Sequence, residues 1–383
     1  MEIPHGLVYR INWGRIAWQR AWPRMAGHFS ALRFEPVHEP ELLPSRWVTL
    51  RPRMSGICGS DIALLRGQSS PYFRPLTSFP AVLGHEILAE TADGTRVAVM
   101  PTLSCAARRL PPCAHCAVGR GDDCLRRTDP GLGPGLMLGY HSRLPGGWGE
   151  RMWAPEEQLL VIPESMPDER AVLTEPGAIV LSGLRRLNWA AVRDVLVIGV
   201  GTLGLIATAM ISELYPAATI TVRAKHHYQA RLAREMGAHR RGDREAIEHV
   251  TGTPLPTLPG YRPHYLRGFD AVVVAVGDGR ALADALTWVN PGGQVLLLGG
   301  VARTVLDLTP AWARHVTVMG SYGYGDSGVD MSRTVLSLFS VMRQPLESLV
   351  THQFTLGEHK KALNQVLVQR DKVVKAVFRP TSA

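Results

Sequence analysis

Two groups of residues in this sequence have the types and spacing to do chemistry. The first is sulfur-rich. Five cysteines occur, Cys58, Cys105, Cys113, Cys116 and Cys124, and the last four fall within twenty residues. The start of the chain, Met1-Glu-Ile-Pro-His, lacks the basic opening and apolar core of a secretory signal, so a cytoplasmic protein is expected. In that setting clustered cysteines read as metal ligands before disulfides. Four thiolates close a tetrahedron around zinc, and a site so filled pins a loop. Cys58 and His85 stand upstream of the cluster. Thiolate and imidazole are both zinc ligands, and a zinc that does chemistry keeps one position open. Taken singly, Cys58 has an ordinary explanation as a small core residue, and His85 as a satisfied structural histidine.

The second group is a glycine pattern, Gly199-Val-Gly201-Thr202-Leu203-Gly204, which follows the apolar run Val195-Leu-Val-Ile. The spacing G-x-G-x-x-G after a strand and before a helix is a dinucleotide signature. The first glycine makes a tight turn, the second lets the backbone approach a pyrophosphate, and the third lets helix and strand pack closely. Thr202 and Leu203 open the helix, where free N–H groups and the positive dipole end face the phosphates.

The elements that must position these residues follow from periodicity. From Val195 onward short apolar runs alternate with helical segments: Val195–Ile198, Leu203–Leu214, Thr219–Val222, Tyr228–Met236, Ala271–Val276, Ala281–Trp288 and Val295–Leu298. Such alternation predicts a parallel sheet with helices on both faces, an α/β Rossmann domain. Val276-Gly277 and Gly299-Gly300 end two of its strands at the edge where ligands sit, and are expected to line the nicotinamide. Residues 243–268 hold four prolines and read as a surface excursion. Upstream, the alternating Arg46–Met54 run reads as a strand that delivers Cys58, and Thr95–Met100 as another. Gly131–Gly149 reads as an irregular loop, Ala171–Leu184 as a helical link, and the tail as strands. Near the start, Leu7–Ile11 and Arg15–Trp18 read as a strand pair with an insertion, in preference to an amphipathic Trp/Arg-rich arm.

Composition narrows the function classes. The net charge is +9, from 42 basic and 33 acidic residues, and only five of the basic residues are lysine. No basic run interleaved with aromatics appears at a recognised spacing, so a nucleic-acid partner is not expected. No apolar run reaches membrane-spanning length. At 383 residues the chain is long enough for two domains.

The stretches Gly56-Ile-Cys58-Gly-Ser60-Asp61 and Gly84-His85-Glu86, ahead of the glycine motif, resemble the zinc-dependent medium-chain alcohol dehydrogenase family. So do Gly147-Trp-Gly-Glu150, Glu175-Pro, Glu235-Met-Gly-Ala, Asn290-Pro-Gly-Gly and Val373-Val-Lys-Ala-Val-Phe, and the resemblance spans nearly the whole chain. Glu175-Pro is similar to the branch of polyol, sugar and threonine dehydrogenases. The resemblance implies a mainly-β GroES-like catalytic domain at 1–177, with a structural-zinc lobe at about 101–128. A Rossmann domain follows at 178–320, and 321–383 returns to the catalytic domain. It implies Cys58 and His85 as catalytic zinc ligands, with the third either Glu86, which is favoured, or Glu175. The competing explanation for Glu86 is an acid paired with an arginine. Ser60 matches the hydroxyl that relays the substrate proton, though serine is also a good helix cap. Asp61 matches the acid that fixes the ligand imidazole. Cys113, Cys116 and Cys124 match the structural-zinc spacing. The family's remaining cysteine position is Leu110 here, and Cys105 sits further back, across seven residues.

The implied reaction is hydride transfer between a secondary alcohol or polyol and a nicotinamide cofactor, catalysed by a homodimer or homotetramer. The acid that binds the ribose of NAD should fall at Ala224, and its neighbours Arg223, Lys225 and His226 are basic. An acid there would repel a 2′-phosphate, whereas these residues attract one, so NADP is expected over NAD. Two alternatives stand beside this: a zinc-free NADP-dependent carbonyl or enone reductase of the same superfamily, and a non-catalytic nucleotide-binding protein on this scaffold. Ser321-Tyr322-Gly-Tyr324 is a weaker candidate for a substrate or NADP contact.

Overall fold

The computed structural model describes residues 3–22, 30–40, 43, 45–301, 303–324, 328–369 and 372–380. The chain divides into two compact units. One holds Met1–Ala178, Tyr324–Ser340 and Glu347–Ala383, and the other holds Ile179–Gly323 and Val341–Leu346.

The first unit is built on the strand Trp47–Gly56. Its even residues Leu50, Pro52 and Met54 point into the core while Thr49 and Arg51 face solvent, as a period of two requires. The seven-stranded sheet runs in the order Val350–Thr355, Lys375–Arg379, Trp47–Gly56, Ile87–Glu90, Arg96–Val99, Leu159–Val161, and Met152–Pro155 also pairs with Trp47–Gly56. Leu50, Ile87, Ala89, Val97, Val99 and Met152 form one buried cluster beneath it. The antiparallel register sets Ser55 opposite Ile87. Each strand is thus followed or preceded, at the same sheet end, by its functional segment: Cys58 after one, His85 and Glu86 before the other.

Near the start the structure differs from the expected strand pair. His5–Tyr9 is a strand, but it pairs with Leu32–Pro36, and Trp13–Ala21 is a helix. The reason is local capping. Asn12 takes an extended conformation, and its side chain accepts the Arg15 N–H at 3.0 Å, which starts a helix where alternation alone suggested a strand.

The second unit is a six-stranded, all-parallel sheet. Its order is Arg240–Arg241, Thr219–Arg223, Asp194–Ile198, Phe269–Val274, Val289–Leu297, Thr317–Gly320. The order reverses on either side of Asp194–Ile198, the topological switch point at which such sheets bind ligands. Val195, Leu196, Val197, Val272, Val273 and Val274 are fully buried, because helices cover both faces. The proline-rich excursion contains one helix, Arg244–Thr251, capped by Asp243, whose side chain accepts the Ala246 N–H. Among the described residues no helix is long and apolar enough to cross a membrane.

Candidate active site

Cys58, His85 and Glu86 converge at the end of the first unit's sheet. One ligand atom from each lies within 4.8 Å of the others. Sulfur, imidazole nitrogen and carboxylate oxygen at such spacing are a donor set suited to zinc, which takes four ligands. Cys58 caps the helix Gly59–Leu65, so Ser60 occupies its first turn and is not the cap. The exposed Ser60 hydroxyl lies 3.4 Å from His85 Nε2.

The surrounding shell fixes these side chains. Asp61 is fully buried. It accepts the Cys58 N–H at 2.9 Å and the Tyr140 hydroxyl at 3.0 Å, and its Oδ1 lies 3.5 Å from His85 Nδ1. Burial alone would lower the His85 pKa; Asp61 and the Cys58 side chain reverse this and hold it well above the usual value. The site therefore favours positive charge at this spot. Trp148, wholly buried, donates Nε1–H to the Gly56 carbonyl at 3.1 Å and fills the space beside Gly84, whose φ is +94°. That tie holds the two strand ends together.

Glu86 is buried and gripped from two sides. Lys375 Nζ donates to its Oε1 at 2.7 Å and its Oε2 at 2.6 Å. A Cβ on Gly56 would stand 1.7 Å from Oε2, so only glycine leaves the carboxylate room. Burial would lower the Lys375 pKa, but Glu86 more than offsets it and the ammonium stays charged. Glu175 accepts the buried Tyr324 hydroxyl at 2.6 Å. Burial pushes its carboxyl up to about 7, against the pull of His85 and with the help of nearby Glu86.

The second cysteine set also converges. The sulfurs of Cys105, Cys113, Cys116 and Cys124 all lie within 4.8 Å of one another, and none forms a disulfide. Cys105 gets there because its seven-residue loop folds back, with Arg109 at φ +54° and the Leu110 N–H on the Cys105 carbonyl. Leu110 packs against the sulfur cluster instead of supplying a ligand. Backbone N–H groups of Leu125 and Arg126 point at Cys113 and Cys124. Hydrogen bonding from the Cys116 backbone, chiefly, lowers the Cys113 thiol to about 6.

In the second unit the three glycines do three different jobs. Gly199 has φ +90°, and a Cβ there would meet Val276 at 2.2 Å. A Cβ on Gly204 would stand 1.9 Å from the Gly199 carbonyl oxygen. Gly201, the cap of helix Thr202–Leu214, has nothing within 4 Å of that position. Open backbone at a helix start is what a pyrophosphate needs. Gly277 and Gly299 let the turns after Phe269–Val274 and Val289–Leu297 touch, since a Cβ on either would collide with the other turn. Arg223 ends its strand with its guanidinium 4.7 Å over the Trp288 ring, and Lys225 is exposed next to His226. The parallel pairing of Val222 with Arg241 brings a further arginine to this edge, where its Nη1 lies 3.3 Å from His227 Nδ1.

Comparison with known proteins agrees with this geometry. Residues 44–164 match the model of the alcohol dehydrogenase GroES-like domain, and residues 202–340 match the zinc-binding dehydrogenase model. The chain belongs to the zinc-dependent medium-chain alcohol dehydrogenase family. Among its relatives within this family is an L-threonine 3-dehydrogenase of Mesorhizobium japonicum, 24% identical over 344 residues, covering 86% of this chain and 90% of the relative. Similar solved structures include 2R,3R-butanediol dehydrogenase of Bacillus subtilis (TM-score 0.70, 21% identity, 99% of this chain and 100% of that one). Another is galactitol-1-phosphate dehydrogenase of Escherichia coli (TM-score 0.72, 20% identity, 98% and 100%).

For this alcohol dehydrogenase, sequence reasoning missed four residues near the candidate sites. Lys375 had a signal: a lone lysine inside the apolar run Val373–Phe378, which burial obliges to find an acid. The expected arginine partner of Glu86 is therefore this lysine. Tyr140 and Arg241 arrive by tertiary register and carry no local signal. Arg108 is buried and ties the carbonyls of Leu103, Arg127, Gly133 and Gly135 around the cysteine lobe.

Proposed function

We propose that this dehydrogenase oxidises, reversibly, a secondary alcohol that carries neighbouring polar groups, such as a polyol, sugar or amino alcohol, with NADP as cofactor. The observation that carries the reading is the convergence of Cys58, His85 and Glu86 beside the Ser60 hydroxyl. The relatives named for threonine, butanediol and galactitol 1-phosphate support the substrate class.

Cys58, His85 and either Glu86 or Glu175 would hold the catalytic zinc, which when bound supplies a Lewis acid that makes the substrate hydroxyl more acidic. Gly199, Gly201, Thr202, Leu203 and Gly204 would cradle the dinucleotide, whose nicotinamide supplies the hydride acceptor. The remaining steps belong to the chain itself. Ser60 accepts the hydroxyl proton of the substrate and passes it outward, since its oxygen is exposed on one side and beside His85 on the other. Asp61 keeps the imidazole oriented and its ring nitrogen basic. Lys375 holds the Glu86 carboxylate in place through both of its oxygens. Glu175, with its carboxyl at about 7, can hold or release a proton near neutrality.

Arg223, Lys225, His226 and Arg241 would bind the 2′-phosphate. Guanidinium groups match phosphate geometry with paired N–H donors, and no acid stands at Ala224 to oppose it. Cys105, Cys113, Cys116 and Cys124 would hold a second zinc that stiffens their lobe. Initial rates on a panel of polyols, sugars and amino alcohols, with NADP and with NAD, together with zinc analysis of the protein and of Cys58→Ala, test the proposal. Turnover by zinc-free Cys58→Ala would overturn the catalytic assignment, and a clear preference for NAD would overturn the cofactor assignment.

A further inference from the structure

The second unit carries a cavity of about 320 Å³ that the dinucleotide reading does not use. It lies at the amino ends of the parallel strands. Asp194 begins the strand Asp194–Ile198, Arg240 begins Arg240–Arg241, and Asp270 and Asn290 are second residues of their strands. The glycine turn follows the other end of Asp194–Ile198, roughly 13 Å away at the usual strand rise. His249, in the last turn of the helix Arg244–Thr251, and Arg267, at the end of the proline-rich excursion, complete the wall.

The hydrogen-bonding capacity of this wall is lopsided. Asp270 is already engaged: Oδ2 accepts the N–H groups of Arg193 and Asp194 at 2.8 and 3.0 Å, and Oδ1 accepts from Asn290 at 3.3 Å. Asn290 in turn accepts the Gly268 N–H. Arg240 stands 3.6 Å from Asp194, a loose contact between half-buried side chains. Among the described residues, no hydrogen bond or ion pair engages the side chain of Arg267 or of His249. Gly252 ends the helix at φ +77°, and the place of its missing Cβ is 3.3 Å from Arg267 Nε, so the guanidinium rests against the helix's negative end. What remains unused around the cavity is the N–H donor capacity of the Arg267 guanidinium and the His249 ring, beside an Asp194 carboxylate that has only its loose contact with Arg240.

We propose that this cavity binds a small phosphate-bearing anion, at a site separate from the dinucleotide cradle. Arg267 and Arg240 supply forked donors to the phosphate oxygens, and His249 adds a third donor from the side. Asp194 gives up its loose arginine contact and keeps its backbone role. The charges of the two arginines and two aspartates cancel formally. Recognition therefore comes from directed hydrogen bonds more than from a net field, and the site discriminates phosphate from chloride.

The test uses the zinc-loaded full chain, saturated with whichever nicotinamide dinucleotide it binds, so that the cradle is filled and failure of the NADP reading leaves the test intact. Inorganic phosphate, and separately glycerol 3-phosphate, is titrated calorimetrically at ionic strength held constant with chloride. The expected result is one saturable site per chain, weakened at least roughly tenfold in Arg267→Met and in Arg240→Met. Arg262→Met, whose arginine pairs with Asp284 away from the cavity, should bind as the parent does. Tighter binding of the ester assigns the site to a phosphorylated metabolite, and equal binding assigns it to phosphate itself. Absence of saturable binding, or binding unchanged in both arginine variants, overturns the proposal.

Discussion

Lys375 holds both oxygens of the Glu86 carboxylate, at 2.7 and 2.6 Å, and both side chains are almost wholly buried. Breaking such a pair from one side leaves an uncompensated buried charge, which costs about 3–5 kcal/mol. The site also gathers Cys58 and Glu175, so a bound cation would supply part of the charge that Lys375 supplies. Lys375→Met should therefore destabilise the chelated protein by about 3–5 kcal/mol and the zinc-loaded protein by clearly less. Urea unfolding of both proteins, with chelator and with zinc, measures the two costs. Equal costs would mean that no cation stands near Glu86.

The cysteine lobe gives a prediction about stoichiometry. Cys105 reaches the other three sulfurs through a folded-back loop, with its sulfur 3.5 Å from that of Cys124. Cys105→Ser should lower zinc from two to about one per chain and leave the dinucleotide affinity unchanged, because four thiolates are needed to close the tetrahedron. Zinc analysis by mass spectrometry reads this directly. Retention of both metals in the variant would show that Cys105 is not a ligand.

What was legible in the sequence was what local spacing encodes. The glycine turn, the alternating strands and helices after Val195, and the segments bearing Cys58 and His85 all follow from patterns a few residues long. Residues brought together by register were not legible. Tyr140 meets Asp61 only because a long irregular loop folds over the strand ends, and Arg241 stands beside the Arg223 edge only because a two-residue strand pairs with Thr219–Arg223. The start of the chain departs from its alternation for a third reason. A side-chain cap by Asn12 outweighed the alternation of Arg15–Trp18, and no period of two or 3.6 reveals a cap.

Two glycines of one motif should fail in different ways. A Cβ on Gly201 meets no atom within 4 Å, so Gly201→Val leaves the fold intact and obstructs only the approach of a pyrophosphate. A Cβ on Gly204 would stand 1.9 Å from the Gly199 oxygen, so Gly204→Ala must push helix from strand, at a cost of about 1–3 kcal/mol for overpacking. Thermal melts and dinucleotide titrations of both variants separate the cases. A strongly destabilised Gly201→Val would show that this turn is not open.

Cofactor choice should respond to a residue outside the expected strand end. Arg241 is exposed, and its neighbour across the strand pair precedes Arg223. Arg241→Ala should raise the KM for NADP roughly tenfold, the value of one charged hydrogen bond, with the KM for NAD nearly unchanged. Steady-state kinetics with both cofactors checks this. A parallel rise for both would mean that Arg241 shapes the domain and does not contact the 2′-phosphate.

Acid should destabilise the first unit through His141. Its side chain is buried; Nδ1 accepts the Arg143 N–H at 3.1 Å, and Nε2 has no partner among the described residues. Burial, with Arg108 and Arg143 acting in the same direction, lowers its pKa to about 4. The unfolded chain takes up this proton near the ordinary value of about 6.5. Between those values the unfolded state binds more protons, so stability rises with pH, is complete above about 6.5, and is lost as pH falls toward 4. The lost contribution is about 3 kcal/mol at most. His141→Gln lacks the titrating group, so its unfolding free energy should fall less steeply than that of the parent over this range. Acid also strips thiolate-bound metal, but it does so in both proteins and cancels in their difference. Denaturant unfolding at several pH values from 7 to 4 gives the two slopes, and parallel slopes would show that His141 already carries its proton in the folded protein.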